Sequence, residues 1–591
     1  MPRATLAQWL CFALILLVSG CGSSQPAETP PPPPVQLSLA PGSAVVFSTQ
    51  TVQLTATDSE GASDVAWSVG GMAGGSVDAN GLFTAPAVTA NTPITVTASS
   101  QSDPTKTATS TITVLAPGTV APTANPQVAQ YTLTPPTGST VFIQFGLDTS
   151  YLLKTWTLPT PDTGALSFYV AGMLASTEYH MRAVLQLSDG STINDLDHTF
   201  TTQAVPAEIL PDVTVTTTPG TTPQPGIEIL NLIGATTASP LMAVDLAGNL
   251  LWAYPPQDGL RVQGAHLLPN GHFLLCLYPT ILREVDLANN TIRQETSAQM
   301  DASFAAAGLP YHTQNFNHDV IALPNGHWIH MVQVKQPCSA IPNCSGLPDI
   351  IGDVIVDLAP NTDGTFSLVW YWSTFDHLDI NRALQGYPDW THANALVYSQ
   401  DDGNLLFSIR HQGWIIKIDY ANGAGAGDII WKLGYQGDFT LVNGRDPDDW
   451  FFAQHGPAID SPNSTGKFTL SVMDNGNLRV FPDTVTCDTH GNPPCNFSRV
   501  VQLEVDESAK TATIVNDYRP GEYSYWGGNA EQLANGNLEG NFTAGATPPA
   551  FSDIFEVTPD SAHTVVWRLT THAGNSYRAF RQPSLYPDVQ W

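Results

Sequence analysis

The sequence predicts an all-β chain in which two small β-sandwich domains precede a C-terminal six-bladed β-propeller. Charged residues make up only 12% of the 591 residues, and the 47 glycines and 47 prolines suit short strands joined by turns. Apolar residues reach 42%, enough for packed cores. From residue 226 onwards a unit of strand, Gly/Asn turn and strand recurs, as in propeller blades.

Residues 1–20 predict an export signal. Arg3 supplies a positive start, and the apolar run Trp9–Val18 is too short for a stable membrane-spanning helix. Leu17-Val-Ser-Gly-Cys21 resembles the lipobox of bacterial lipoproteins, in which the cysteine is lipidated; an ordinary secretory signal with a chance cysteine is the alternative. We expect a lipid anchor on Cys21 and a location in the periplasm or at the cell surface, attached to the outer membrane.

Two β-modules are expected after the signal. Residues 21–36 are a Pro-rich tether. Residues 37–115 alternate apolar and polar side chains, and their Trp-Ser…Gly-Leu-Phe-Thr-Ala-Pro pattern resembles bacterial Ig-like domains; a sandwich of another type is the alternative. Residues 116–205 resemble a fibronectin type III domain, because Leu174 and Tyr179 have the spacing of a tyrosine corner. Residues 206–225 are rich in Thr and Pro and predict a linker.

Residues 226–591 contain the repeats that predict the propeller. Five strand openings recur at intervals of roughly 50 to 75 residues, the length of a four-stranded blade with variable loops. These openings are His266, His318, His392, His455 and Asn529. A sixth blade would close the ring by pairing the segment near residue 230 with the C-terminus; five or seven blades remain open alternatives.

The remaining cysteines fit an oxidising compartment. Cys338 and Cys344 lie close together in the sequence, as do Cys487 and Cys495, which predicts two local disulfides. Cys276 is left over within an apolar strand and is expected to be a buried free thiol. The formal charge of −31 argues against a nucleic-acid partner, since such a surface repels phosphate.

The strand openings suggest a shared polar cavity, because the first strand of each blade lines the central channel. Structural histidines bonded to neighbouring blades are the alternative for each one. A metal site is less favoured, since Asp319 is expected to point away from His318. Asn394 lies two residues after His392, which predicts the same strand face. With Arg410 on the next strand, these groups would bind a tetrahedral oxyanion.

The same residues resemble a known family, the bacterial arylsulfotransferases. The motifs are His392-Ala-Asn394, Ser408-Ile-Arg410-His-Gln-Gly-Trp, Asn317-His-Asp319, Gln454-His455 and Tyr577-Arg578, in order over about residues 225–591. The resemblance implies sulfuryl transfer from a phenolic sulfate to a phenol by a ping-pong mechanism through a sulfohistidine, without cofactor, metal or nucleotide sulfate.

The resemblance also implies residue roles. His455 would be the nucleophile, although the following Gly456-Pro457 departs from the expected pattern. His392, Asn394 and Arg410 would hold the sulfuryl oxygens, and His318 would be a further active-site histidine. His266 has no catalytic counterpart. Members of the family can be homodimers, but this sequence contains no interface signal.

Two tryptophans and the overall function each have alternative interpretations. Trp390 and Trp526 are candidates to sandwich the phenol ring, with packing between blades as the alternative. A non-catalytic binding propeller and an aryl sulfate hydrolase are the rival functions. A scaffold does not require the His and Arg set, and the sequence lacks the usual sulfatase signature around a formylglycine-forming cysteine.

Overall fold

A computed structural model of the chain describes residues 36–58, 61–62, 64–71, 74–234, 239–257, 259–461, 466–477, 479, 497–544 and 551–591. The predicted signal, Cys21, nearly all of the tether and the Cys487–Cys495 pair lie outside these residues. The described part is almost entirely β-structure, so the all-β prediction is confirmed. None of its helices has the length and hydrophobicity that crossing a membrane requires.

The first of two compact units comprises, within the described part, residues 36–86 and 92–114. Its core includes Phe47, Phe83 and Val96, which are fully buried. Its three sheets, each in spatial order, are Leu37–Ala40, Thr55–Asp58 and Gly61–Ala62; Ser43–Phe47, Thr107–Leu115, Thr92–Ser100 and Val65–Gly70; and Thr51–Gln53, Leu82–Thr84 and Ser76–Val77. Its assignment to the Ig-like class stays a prediction.

The second unit begins with another β-module. One sheet orders Thr119–Pro122, Ala129–Leu133 and Leu166–Val170; the other orders Leu153–Lys154, Thr140–Gly146, Glu178–Gln186 and Thr192–Asn194, with Leu158–Pro159 and His198–Thr201 at its sides. The Tyr179 hydroxyl accepts a hydrogen bond from Leu174 N at 3.0 Å, at the predicted tyrosine corner. The fibronectin-like class itself stays a prediction.

This module packs directly against the remainder of the second unit. Asn125 Nδ2 donates to the Ala253 carbonyl at 3.1 Å, and Gln127 Nε2 donates to the Leu250 carbonyl at 2.9 Å. Near the C-terminus, the Tyr586 hydroxyl accepts from Ala171 N at 2.7 Å. These buried contacts hold the module and the sheets of residues 213–591 together.

Six sheets make up the rest of the described chain, and we number them 1 to 6. Their strands are antiparallel except Thr440–Leu441, a short strand that lies parallel to Thr511–Tyr518 at the edge of sheet 5. The strand named first in each sheet contacts the first strand of a neighbouring sheet, and we call it the inner strand. In spatial order the sheets are: sheet 1, Ala579–Gln582, Ile227–Asn231, Leu241–Asp245, Leu250–Tyr254; sheet 2, Arg261–Leu267, Phe273–Tyr278, Ile281–Val285, Thr291–Thr296; sheet 3, Thr313–Ala322, Trp328–Gln336, Ile350–Pro360, Phe366–Ser373; sheet 4, Ala393–Ser399, Asn404–Ile409, Trp414–Ile418, Ile429–Gly434; sheet 5, His455–Ile459, Lys467–Asp474, Arg499–Asp506, Thr511–Tyr518; sheet 6, Asn529–Gln532, Leu538–Ala544, Phe551–Val557, Val565–Thr571. Two α-helices, Ser297–Ala306 and Thr374–His377, interrupt this part of the described chain.

Neighbouring sheets bury their apolar faces against each other. Ile329 and Met331 of sheet 3 share a core with Leu405 and Phe407 of sheet 4, and similar clusters join sheets 2 and 3, 4 and 5, 5 and 6, and 6 and 1. Trp252 of sheet 1 stacks on Phe273 of sheet 2 at 4.7 Å. Burial on both faces explains the nearly continuous apolar strands of the sequence.

Sheet 1 joins the two ends of this region. Its inner strand, Ala579–Gln582, is antiparallel to Ile227–Asn231, which matches the pairing expected between the segment near residue 230 and the C-terminus. The predicted linker is different: Val213–Thr217 forms an additional outer strand on sheet 6, since its alternating Val and Thr side chains suit an edge position.

The described cysteines follow the prediction. Cys338 and Cys344 form a disulfide, beside the short 3₁₀ turn Cys338–Ala340. Cys276 is a buried free thiol, and burial raises its pKa above the ordinary value.

Candidate active site

Three of the predicted histidines lie in or directly beside neighbouring inner strands. His318 lies where the register of its strand shifts, His392 directly precedes the inner strand of sheet 4, and His455 begins that of sheet 5. His318 and His392 have φ angles of 57° and 48°, and their rings are 5.0 Å apart. A left-handed backbone costs a non-glycine residue about 1–3 kcal/mol and is found most often at functional sites.

The contacts of His455 determine which ring nitrogen carries the proton. Nδ1 lies 2.7 Å from Asn475 Oδ1 and 3.1 Å from the Ala453 carbonyl oxygen, so it faces two acceptors. Nε2 lies 3.3 Å from the Gly527 N–H, a donor. The ring is therefore protonated on Nδ1, and Nε2 carries the lone pair.

Burial keeps the central imidazoles neutral. It lowers the pKa of His455 well below the ordinary value, and the guanidinium of Arg410 lowers it further. The pKa of His318 is also well below its ordinary value, because of burial and then the neighbouring His392 and His455. Nδ1 of His318 is buried without a hydrogen-bond partner in the described structure. His455 thus has the charge state of a nitrogen nucleophile.

His392 is held by a carboxylate. Its Nδ1 lies 2.5 Å from Asp389 Oδ2, and its ring stacks on His411 at 4.6 Å. Burial raises the pKa of Asp389, but the hydrogen bond with His392 and the nearby positive charge outweigh burial and bring that pKa below its usual value. Asp389 is therefore ionised, and it orients His392, whose side chain is 26% exposed, for proton exchange.

Arg410 follows its strand instead of lying within it. It opens the 3₁₀ turn Arg410–Gln412 directly after Ile409, and this turn directs the guanidinium to His411 Nε2 at 2.5 Å and to the Tyr525 carbonyl at 3.2 Å. The pKa of His411 falls to about 3 through burial and the charges of its neighbours, so this ring is a neutral acceptor. Nε of Arg410 is buried and has no partner in the described structure.

Asn394 reaches the site by a different route from the one predicted. The simple alternation expected between His392 and Asn394 does not apply, because His392 precedes the strand and the ladder shifts between Ala393 and Ala395. Asn394 Nδ2 instead donates to the Gln454 carbonyl at 2.6 Å, which links it to the residue before the nucleophile candidate. Its Oδ1 is buried without a partner in the described part.

Two aromatic side chains complete the site. The Tyr577 ring lies 5.4 Å from that of His318 and 5.9 Å from that of His455, and the Trp526 ring lies 6.1 Å from Tyr577. The Tyr577 hydroxyl and Trp526 Nε1 are buried without partners in the described structure. Trp390 is different: it stacks on Phe375 at 5.9 Å and its indole donates to a backbone carbonyl, which indicates a packing role.

The site contains three groups that were not among the predicted site residues. Asp389 precedes its strand, Asn475 follows Asp474 at the end of another, and Tyr577 had been noted only as part of a family motif. None of them occupies the repeated strand-opening position. The only sequence signal for any of them is that Asp389 lies three residues before His392. This signal is weak, because Asp and His at such spacing are common without function.

The other predicted openings do not join the three histidines. His266 Nε2 lies 2.8 Å from Asp319 Oδ1, and Asp319 Oδ2 lies 2.8 Å from Arg578. These three residues line a cavity of about 930 Å³ that involves none of His318, His392, His455 or Arg410. Asn529 bonds to both backbone groups of Ala579, at 2.6 and 2.9 Å, and so joins two inner strands.

One group of side chains has metal-like spacing. Ligand atoms of Asp389, His392 and His411 all lie within 4.8 Å of one another. However, the Asp389 carboxylate bonds to His392, and His411 Nε2 accepts from the Arg410 guanidinium, whose positive charge opposes a cation there. The arrangement fits a hydrogen-bond network around an anion better than a metal centre.

The comparisons with known proteins give one informative match. Residues 213–578 match the family described as Arylsulfotransferase (ASST). No curated protein matches the chain. Among solved structures, a protein of unknown function from Bacteroides caccae is 10% identical over 60% of this chain and 98% of its own, with a TM-score of 0.36, and a putative 6-phosphogluconolactonase from Bacteroides uniformis is 10% identical over 75% and 98%, with a TM-score of 0.32. Likenesses this remote carry no functional argument.

Proposed function

The chain belongs to the arylsulfotransferase family, and from this premise we propose that it moves a sulfuryl group from a phenolic sulfate ester to a phenol, with His455 carrying the group between them. The six sheets are interpreted as the blades of a propeller whose inner strands bring the site together. No nucleotide sulfate is needed, because sulfuryl exchange between two phenols is nearly balanced in energy.

The observation that carries this proposal is the state of His455. It is a buried, neutral imidazole whose Nδ1 is held by two oxygens and whose Nε2 keeps its lone pair, close to the cation of Arg410. A neutral nitrogen beside a fixed guanidinium can attack an anionic sulfate ester, since the cation offsets the charge of the sulfuryl oxygens.

In the first half-reaction the Nε2 lone pair attacks sulfur in line with the leaving oxygen. A bond forms between Nε2 and sulfur, the bond between sulfur and the aryl oxygen breaks, and its electron pair remains on the phenoxide. A proton from the imidazole of His392, which Asp389 orients, neutralises a basic phenoxide. The enzyme is left as sulfohistidine at His455.

The second half-reaction reverses these steps with another phenol. His392 takes the proton of the acceptor hydroxyl, the oxygen attacks sulfur, and the electron pair of the Nε2–sulfur bond returns to the imidazole of His455. Arg410, the Gly527 N–H beside Nε2 and the second N–H of Asn394 are the donors proposed to hold the sulfuryl oxygens. Tyr577 and Trp526 provide the aromatic wall for the phenol ring.

The test combines an activity assay with detection of the intermediate. Purified protein is incubated with 4-nitrophenyl sulfate, with and without phenol, and sulfated His455 is sought by mass spectrometry. We expect nitrophenol release that depends on phenol and yields phenyl sulfate, and a sulfuryl adduct on His455 when phenol is omitted. His455→Asn should abolish both.

His563→Asn is the matched control, because it makes the same change in a hairpin turn of sheet 6, between Asp560 and Thr564. Within the described part of the chain, the His563 ring packs on Tyr518 and contacts none of the site residues. It should retain wild-type rates. Sustained nitrophenol release without phenol would indicate a hydrolase and contradict the proposal. Full activity of His455→Asn would overturn the nucleophile assignment, and no release with several phenols would favour a binding protein.

The cellular location is a separate proposal. We propose that Cys21 is lipidated and anchors the protein on the outer membrane, facing the periplasm or the exterior, on the strength of the lipobox-like residues alone. Cys21→Ser should release the protein from the membrane fraction without changing its rate, and unchanged membrane association would refute the anchor.

A further inference from the structure

We propose that Asn475 is a positioning residue that holds the proton on Nδ1 of His455 throughout the cycle, so that the imidazole ring of the sulfohistidine stays positively charged and reactive. This inference rests on the proposed function. It concerns the lifetime of the intermediate and not its existence, and it explains why a neutral amide instead of a carboxylate faces the nucleophile.

The orientation of the Asn475 amide is fixed by its own partners. Its Nδ2 donates to the carbonyls of Ser524 at 2.9 Å and Gly527 at 3.0 Å, so Nδ2 must be the nitrogen and Oδ1 must be the atom that faces His455. Oδ1 then accepts from His455 Nδ1 at 2.7 Å. The side chain is fully buried, which removes water as a competing partner.

The backbone on both sides of Asn475 is also held. The Ser498 hydroxyl donates to the Asn475 carbonyl at 2.9 Å and accepts from Ser524 N at 2.8 Å. The preceding Asp474 accepts from Phe452 N at 3.0 Å and pairs with Arg499 at 2.8 Å, with both charged side chains fully buried. The amide therefore has little freedom to turn away from the nucleophile.

The contact between Asn475 and His455 matters because the proton on Nδ1 decides the charge of the leaving imidazole. When a sulfuryl group sits on Nε2 and a proton sits on Nδ1, the ring is a cation, and the electron pair of the broken nitrogen–sulfur bond returns to a neutral imidazole. If Nδ1 had lost its proton, the same bond would have to release an imidazolate, a far poorer leaving group. The positive charges of Arg410 and Arg578 favour loss of that proton, so the site needs a group that retains it.

An amide oxygen meets this need, and a carboxylate would not. Oδ1 of Asn475 accepts the hydrogen bond but is too weakly basic to take the proton. In Asn475→Asp a carboxylate would accept the proton from Nδ1 after sulfuryl transfer and leave a sulfoimidazole whose ring is uncharged and unreactive. The same carboxylate would still support the first attack, because it orients the ring in the same way.

The test separates the two half-reactions in the intact protein. Single-turnover mixing with 4-nitrophenyl sulfate measures the burst of nitrophenolate, and mixing of the isolated sulfated enzyme with phenol measures the return step. For Asn475→Asp we expect a burst rate within about tenfold of wild type and a return step slower by about 100-fold, with sulfated enzyme accumulating. An equal loss in both steps, or no loss in the return step, would overturn the inference.

A measurement on the wild type keeps the inference testable if the variant does not fold. ¹⁵N NMR of the His455 ring should show a protonated Nδ1 both before and after sulfation. An unprotonated Nδ1 in the sulfated enzyme would overturn the inference alone. Failure of the wild type to form any sulfated His455 would overturn the proposed function and the inference with it.

Discussion

Asp389→Asn removes the negative charge that faces His392 and leaves a side chain of the same size. The carboxylate oxygen lies 2.5 Å from His392 Nδ1, and the two side chains are 32% and 26% exposed. Opposite charges about 4 Å apart interact by about 4 kcal/mol at an effective dielectric of 20. Partial exposure reduces this, and we expect the protonated imidazole to lose about 1.4–2.7 kcal/mol, or 10- to 100-fold in a step limited by its proton transfer.

The assay compares two sulfate donors, one whose leaving group needs a proton and one whose leaving group does not. 4-Nitrophenolate departs without a proton, so the burst from 4-nitrophenyl sulfate should stay within about threefold of wild type. Unsubstituted phenoxide requires the proton, so the burst from phenyl sulfate should fall by the full 10- to 100-fold. An equal fall with both donors would show that Asp389 only supports the fold locally. No fall with either would show that Asp389 does not assist proton donation by His392.

Four further substitutions test the site by activity and by stability. Arg410→Lys should lower kcat by about 100- to 1000-fold, because an ammonium cannot hold both the sulfuryl oxygens and the His411 and Tyr525 contacts, and an unchanged kcat would contradict that role. Tyr577→Phe should lower kcat by about tenfold yet leave the melting temperature unchanged or higher, since its buried hydroxyl has no partner in the described structure. Gly264→Ala should reduce kcat and stability together, because a Cβ there would lie 2.5 Å from the His318 carbonyl oxygen and displace that histidine. The pKa of His318 is far below its ordinary 6.5, so below pH 6.5 the unfolded chain binds a proton that the folded one does not; urea unfolding of His318→Gln should lose stability less steeply on acidification than wild type, by up to about 1.4 kcal/mol per pH unit.

The sequence predicted the strands of the large domain well because their signals are local. The turn Asp402-Gly403 and the apolar run Leu405–Ile409 give a strand pair in any blade, and the structure pairs Ala393–Ser399 with Asn404–Ile409. The pairing of the segment near residue 230 with the C-terminus was also predictable, since an incomplete blade leaves apolar strands without a neighbour. The strand Val213–Thr217 was missed because Thr and Pro nearby suggested a linker, while its Val side chains pack on sheet 6.

The repeats of the sequence predicted only those site residues that occupy the repeated strand-opening position. His318, His392 and His455 share one repeat position of the sequence and lie within, directly before and at the start of their strands, so periodicity placed them together. Asn475 and Tyr577 reach the site from other parts of their sheets, and no periodic signal marks them. The direction of Asn394 was mispredicted for a physical reason: strand alternation presumes extended backbone, whereas His392 has a φ of 48° and the ladder slips just after it.

Charge explains why the chemistry is confined to this small region. A chain with 52 acidic and 21 basic residues repels anionic sulfate esters over most of its surface. Asp319 pairs with Arg578 beside the neighbouring cavity and Asp389 pairs with His392 in the site, while His318 and His455 are neutral. Arg410 bonds to a neutral ring and a carbonyl, so its charge remains for the ligand. The free positive charge of Arg410 beside a neutral nucleophile matches the single negative charge of a sulfate monoester, and the two ion pairs keep other charged groups from competing for the ligand.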